Sequence, residues 1–197
     1  YDYIELWGGR PHAFAPDLLS GEIDHILDLI DQYNMPVEIY TPEHNAYPYN
    51  YMIGTERQWE SSIDYLCLAL CCGKQLGAEY TLISVGHSGS AAPEEKQKRL
   101  VKSLRRLSSE AEKLEHKVVI ETLTPLESDT CNTPEQLAEV LDMIGSPMLY
   151  GMCDVVVPTV LKEKPEDYSR ILKDRMVHLH LIDSDGMTEN HLLPGEG

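Results

Sequence analysis

The stretch Lys117-Val118-Val119-Ile120-Glu121-Thr122-Leu123-Thr124-Pro125-Leu126-Glu127 decides how the rest of the chain is read. Val118, Val119 and Ile120 form the uninterrupted apolar run of a strand buried on both faces of a parallel sheet. The run ends on a carboxylate, Glu121, and Pro125 closes the segment soon after. An ionised carboxyl at the end of a buried strand is costly unless a cation or hydrogen-bond donors neutralise it. Two later stretches repeat the form. Leu149–Val157 is expected to be a strand that holds Asp154 among Met152, Val155, Val156 and Val157. Arg175–Asp185 carries His178 and His180 in an apolar run, then Asp183 and Asp185. Glu121, Asp154 and His180, at the ends of successive apolar strands, are expected to converge on one divalent metal. Two carboxylates and an imidazole suit Mn²⁺, Mg²⁺, Co²⁺ or Zn²⁺. The two histidines are expected on opposite sides of their strand, so that only one of them enters the site.

Working outward, strand and helix patterns alternate. Tyr3–Trp7 reads as a strand broken by Gly8-Gly9-Arg10-Pro11. Ser20 is expected to cap a helix with Ile23, Ile26, Leu27 and Ile30 on one face. Pro36–Thr41 is the next strand, followed by Glu43, His44 and a loop that includes Tyr47 and Tyr49. A helix from about Glu56 to Leu76 places Trp59, Ile63, Leu66, Cys67, Leu70 and Cys71 on one stripe, and Gly77 stops it. Tyr80–Val85 is a strand with His87 just beyond its end, and Pro93 with Glu94 and Glu95 opens a long helix. Thr133-Pro134-Glu135-Gln136 has the form of a capping box, and a short helix is expected around Pro165–Leu172.

Six strands and five helices in alternation imply a parallel sheet with right-handed crossovers. No Gly-x-Gly-x-x-Gly follows the first strand, so the dinucleotide-binding fold lacks its fingerprint. Polar residues end nearly every strand, which favours an α/β fold of the (β/α)₈ TIM-barrel class, whose site is assembled from many strand ends. The expectation is one incomplete TIM-barrel domain over residues 1–197. It would hold about the second to the seventh strand, with the first and last strands lying outside the chain. The opening on Tyr1 within a strand pattern and the closing loop Pro194-Gly195-Glu196-Gly197 carry that expectation.

Composition narrows the function. The 197 residues are 42% hydrophobic, enough for one sizeable core. Sixteen basic against 33 acidic residues give a net charge of −17, which argues against a nucleic-acid partner because no excess of Lys and Arg displaces counterions. Five cysteines, three of them crowded on one helix, do not form a disulfide framework and point to a reducing, cytoplasmic setting. No apolar run spans a bilayer, so no membrane is expected as a partner. Several residues carry two readings. Glu127 could receive a substrate hydroxyl or be a solvated loop charge. His87, after a small residue, could meet a ligand or be structural. Glu43 and His44 could cover a sugar or pack on the rim, and Trp7 could stack on a sugar's apolar face or be buried. Arg10 and His12 could hold an anion, though a solvated turn is favoured.

Several longer matches are more specific. Ile4–Phe14, Tyr40-Thr41-Pro42-Glu43, Tyr47-Pro48-Tyr49-Asn50, Tyr80–Ser84, His178-Leu179-His180 with Asp183-Ser184-Asp185-Gly186, and Pro194–Gly197 resemble the xylose-isomerase-like sugar isomerase/epimerase superfamily, in particular its 3-epimerases of ketose amines. The resemblance covers nearly the whole chain. It implies a (β/α)₈ barrel and one divalent metal held by Glu121, Asp154, His180 and a further Glu beyond Gly197. It also implies inversion of C3 through an enediolate, with Glu121 as an acid–base residue. Glu127 falls where the ketose epimerases place a substrate-contacting Glu. Two departures accompany it. Val157 stands where those enzymes carry a His and Gly186 where they carry an Arg, so His191 is expected to take over part of the substrate contact. The implied partner is a small sugar, and a homo-oligomer is compatible with it. The rival readings are an endonuclease IV-like zinc phosphodiesterase, which needs more His ligands and a basic face, and a non-catalytic sugar-binding barrel.

Overall fold

Each predicted apolar run becomes a strand because its alternate residues have apolar partners on both sides. The computed structural model describes residues 1–45 and 48–197, so Tyr47 lies outside the described residues. The strands are β1 (Ile4–Gly8), β2 (Val37–Pro42), β3 (Tyr80–Ser84), β4 (Lys117–Glu121), β5 (Leu149–Asp154) and β6 (Met176–His180). They form one parallel sheet in sequence order. The sheet curls, as the wall of a barrel does, until side chains of its two edge strands meet: Glu5 on β1 lies 3.0 Å from both His178 and His180 on β6.

The helices α1 (Ala15–Asp17), α2 (Ile23–Tyr33), α3 (Glu56–Gln75), α4 (Pro93–Leu114), α5 (Pro134–Ile144), α6 (Val156–Leu161) and α7 (Glu166–Leu172) connect the strands. Outward-facing Tyr40, Ile83, Val118, Ile120 and Cys153 pack with Leu66, Leu70, Leu104 and Leu141 of the helices in the main core. Inward-facing Ile39, Leu82, Val119 and Met152 form a second, smaller cluster. Burial on both faces is why these strands read as continuous apolar runs rather than as alternating ones.

Helix ends follow the local signals with two exceptions. Thr133 and Gln136 form the expected capping box on α5, and Gly77 takes a φ of +78° just past α3. Ser20 is not a cap. Its hydroxyl donates to the Asp17 carbonyl, and α2 starts after Glu22, because Gly21 at φ +127° interrupts the helical path between them. The strand expected to reach Val157 stops at Asp154. Oδ1 of Asp154 accepts the Val156 N–H at 2.9 Å, which takes that amide out of the sheet and turns the chain into α6. No helix among the described residues is long and apolar enough to cross a membrane.

Candidate active site

The strand register brings the sequence's three chosen ligands to one level of the barrel. Ser84 pairs with Glu121, and Asp154 pairs with His180. Nδ1 of His180 lies 3.2 Å from Oε1 of Glu121 and 3.5 Å from Oδ2 of Asp154. One donor atom from each of the three lies within 4.8 Å of the others. Ligands about 2.0–2.2 Å from a shared ion stand roughly 3 Å apart, so the separations fit a single divalent metal. Charge fits as well. Burial pushes the Glu121 carboxyl up, and the neighbouring His180 only partly offsets it. Burial lowers His180, yet its hydrogen bonds to Asp154, Glu121 and Glu5 outweigh that and push it up to about 12. Two carboxylates and an imidazole that face one another form a donor set that suits a divalent cation.

These groups stand in a cavity of about 410 Å³. Of the sequence's other choices, Trp7, Glu43, Glu127 and His191 line it, together with His44 and Val157. Trp7 is 44% exposed rather than buried, and its Nε1–H donates to Oε2 of Glu43 at 3.0 Å. The ring therefore presents a face to the cavity while its polar edge is satisfied. His44 is buried. Its Nε2 accepts the Ser84 N–H at 3.0 Å, burial lowers it to about 4, and its Nδ1 has no partner among the described residues. His87 is not among the cavity's lining residues. It is exposed, and its ring nitrogen accepts the Gly89 N–H and lies 3.6 Å from Asp129. Arg10 is held by both oxygens of Asp17 at 2.6 Å, a local ion pair rather than an anion site.

One expectation fails. His178 and His180 share a face, because strand side chains alternate with a period of two and residues two apart point the same way. Both Nε2 atoms reach the same oxygen of Glu5. Two residues of the site were not singled out from sequence. Glu5 carried a usable signal, a carboxylate in mid-strand between Ile4 and Leu6 that needs partners. Burial alone raises its carboxyl, but hydrogen bonds from His178, His180 and Thr41 hold it well below the usual carboxylate range. Glu189 carried no signal. The antiparallel bridge between Asp183 and Leu192 folds its loop back over the cavity, where Thr124 donates to its carboxylate. Burial, then the charges of Glu189, Glu121 and Asp154, push the Glu127 carboxyl up to about 7. Asp183 and Asp185 serve that loop: Asp183 accepts the N–H groups of Ser184 and Gly195, and Asp185 those of Met187 and Thr188.

A family model described as Xylose isomerase-like TIM barrel matches residues 1–197. The chain is 43% identical over 198 aligned residues to the curated fructoselysine 3-epimerases of Escherichia coli and Shigella flexneri, spanning 100% of this chain and 72% of theirs. A D-psicose 3-epimerase from Enterocloster bolteae is 33% identical over 99 residues, 50% of this chain and 31% of that one. The crystal structure of a D-tagatose 3-epimerase-like protein shares the fold, with a TM-score of 0.86 at 21% identity over 100% of this chain and 73% of that one. The chain belongs to the xylose isomerase-like TIM barrel family. The curated relatives that match its whole length are epimerases, which are isomerases acting on carbohydrates.

Proposed function

We propose that this chain is a metal-dependent sugar 3-epimerase that inverts C3 of a ketose amine, with fructoselysine, the sugar in the names of its 43% identical relatives, as substrate. The observation that carries the reading is the convergence of Glu121 and Asp154 on Nδ1 of His180, at 3.2 and 3.5 Å, inside the cavity. Glu121, Asp154 and His180 would hold a Mn, Mg, Co or Zn ion, which when bound supplies an electrophile for negative charge developing on the C2 and C3 oxygens of the sugar.

The chain's groups position the sugar and begin the proton transfer. Oε1 of Glu121 faces His180, which leaves Oε2 to take the C3 proton from one face, and inversion is completed when the further Glu implied by the family resemblance returns a proton to C3 from the opposite face. Burial makes that carboxyl a stronger base than a solvated one. Asp154 is anchored through Oδ1 by the Val156 N–H, so its other oxygen stays aimed at the site. Trp7, held edge-on by Glu43, offers an apolar face to the sugar carbons. Glu127 and Glu189 form an acidic rim that complements the ammonium group of an amine-bearing sugar. His191 lines the cavity beside them. Val157 gives an apolar wall where the family's ketose epimerases carry a His, in keeping with a different substrate tail. Lysine and arginine are missing among the described lining residues, so a phosphodiester backbone would find no partner there. Five unpaired thiols support a reducing, cytoplasmic setting.

The test is proton exchange. Protein loaded with Mn²⁺ and given fructoselysine in deuterated water should place deuterium at C3, form the C3 epimer, and lose both activities on chelation. Metal-loaded protein that exchanges no C3 proton of any ketose amine overturns the proposal.

A further inference from the structure

Glu5 sits at the start of the barrel wall, in register with Ile39, and faces the interior. Its Oε1 accepts the Thr41 hydroxyl at 2.6 Å. Its Oε2 lies 3.0 Å from Nε2 of His178 and 3.0 Å from Nε2 of His180. A carboxylate only accepts, so both imidazoles meet it with an Nε2–H. A metal on His180 displaces the proton of one ring nitrogen only, and the contact with Glu5 holds the remaining proton on Nε2. The lone pair is left on Nδ1, the atom that faces Glu121 and Asp154 at 3.2 and 3.5 Å.

We propose that Glu5 is the positioning residue of this site: by accepting the Nε2–H of His180 it fixes the ring's orientation and tautomer, so that Nδ1 is offered to the divalent metal. Histidine ligands are commonly oriented by a carboxylate on the opposite nitrogen. Here that carboxylate comes from the far edge of the sheet, 175 residues away in sequence. Glu5, His178 and His180 also lie close enough together to hold an ion of their own. The shared ring argues against two ions at once, because metals on both nitrogens of His180 would require it to lose its last proton. Glu5 is therefore a support for one metal and not a ligand of a second.

The inference rests on the metal site proposed above, and the experiment separates the two. Protein labelled with ¹⁵N-histidine is titrated with Zn²⁺, affinity is read by chelator competition, and tautomers are read from long-range ¹H–¹⁵N spectra. Wild-type protein should bind one zinc, with His180 protonated on Nε2 and metallated on Nδ1. Glu5→Gln should lower zinc affinity about 10–100-fold and release His180 from its single tautomer. His178→Gln, which removes the other ring and leaves Glu5 facing His180, should stay within about threefold of wild type, since the supporting contact is intact. Should Glu5→Gln not fold, Glu5→Asp, which draws the carboxylate back by one methylene, should weaken zinc at least about fivefold. Wild-type-like affinity and tautomer in the folded Glu5 variant overturn the positioning role. Two zinc ions per wild-type chain overturn it in favour of a second metal site. A wild-type chain that binds no zinc, manganese or cobalt overturns the metal reading and this inference with it.

Discussion

Two levels of the barrel interior lie one pleat apart on the same strands and have opposite chemistry. The lower level is Ile39, Leu82, Val119 and Met152, packed as a small apolar cluster. Two residues further along the same strands stand Thr41, Ser84, Glu121 and Asp154. The lower level supplies burial and fixes where the strands sit; the upper level borrows that rigidity to hold groups that repel one another. The register makes the relation exact in kind: Leu82 pairs with Val119 below, while Ser84 pairs with Glu121 above. A side chain's role in this wall therefore follows from its height. Glu5 and His178 are the exceptions, since they pair with Ile39 and Met152 at the lower level yet are polar; burying His178 there would be costly alone. That cost is offset because Glu5 reaches the same height and accepts from it.

The sharpest way to break the comparison is to change one residue at each level. Glu121→Gln keeps the volume and removes the base, so C3 exchange should fall about 10³-fold with little change in the urea midpoint. Exchange within tenfold of wild type would show that the upper level is not the proton-transfer site. One pleat down, Met152→Ala should cost about 2–4 kcal/mol in urea unfolding. Its metal stoichiometry, measured alongside, should not change. A stability loss under about 1 kcal/mol would mean that the lower level is not close-packed.

Two further outcomes sharpen the contrast between burial and charge. His44 and His116 are both lowered to about 4 by burial, with unfolded values of about 6.5. A group whose folded value is depressed gives stability that is complete above the unfolded value and is lost as pH falls toward the folded one. Stability should therefore hold above about pH 6.5 and drop between there and about 4, by up to roughly 3 kcal/mol per imidazole. His116→Gln should remove its share of that slope in urea melts from pH 7.5 to 4.5, and an unchanged slope would sink the assignment. The smallest effect belongs to the rim. Glu127→Gln should raise KM for a cationic ketose amine about fivefold, near 1 kcal/mol, while leaving KM for a neutral ketose unchanged. Equal effects on the two substrates would remove Glu127 from ammonium recognition.

Strand-end chemistry was legible in advance where a polar residue interrupts a run that must be buried. Glu121 after Val-Val-Ile, Asp154 after Met-Cys and His180 after His-Leu could be singled out because an unpartnered polar group at such a place is expensive. Trp7 and Glu43 were legible as a pair of possibilities, and their mutual hydrogen bond was not. The end of β5 was misread because Val155–Val157 has strand propensity, and one side-chain acceptor on Asp154 outweighed it locally.

The chain's pattern alone determined the alternation of strands and helices, the parallel sheet, and which residues stand at the strand ends, because periodicity and burial act over a few residues at a time. Only the tertiary structure decided which of those ends meet. Curling the sheet brings β1 to β6 and sets Glu5 against both histidines, and one antiparallel bridge carries Glu189 and His191 back to the cavity. Those contacts join residues far apart along the chain, and no local preference encodes them; they follow from closure of the wall and from the requirement that each buried charge find a partner.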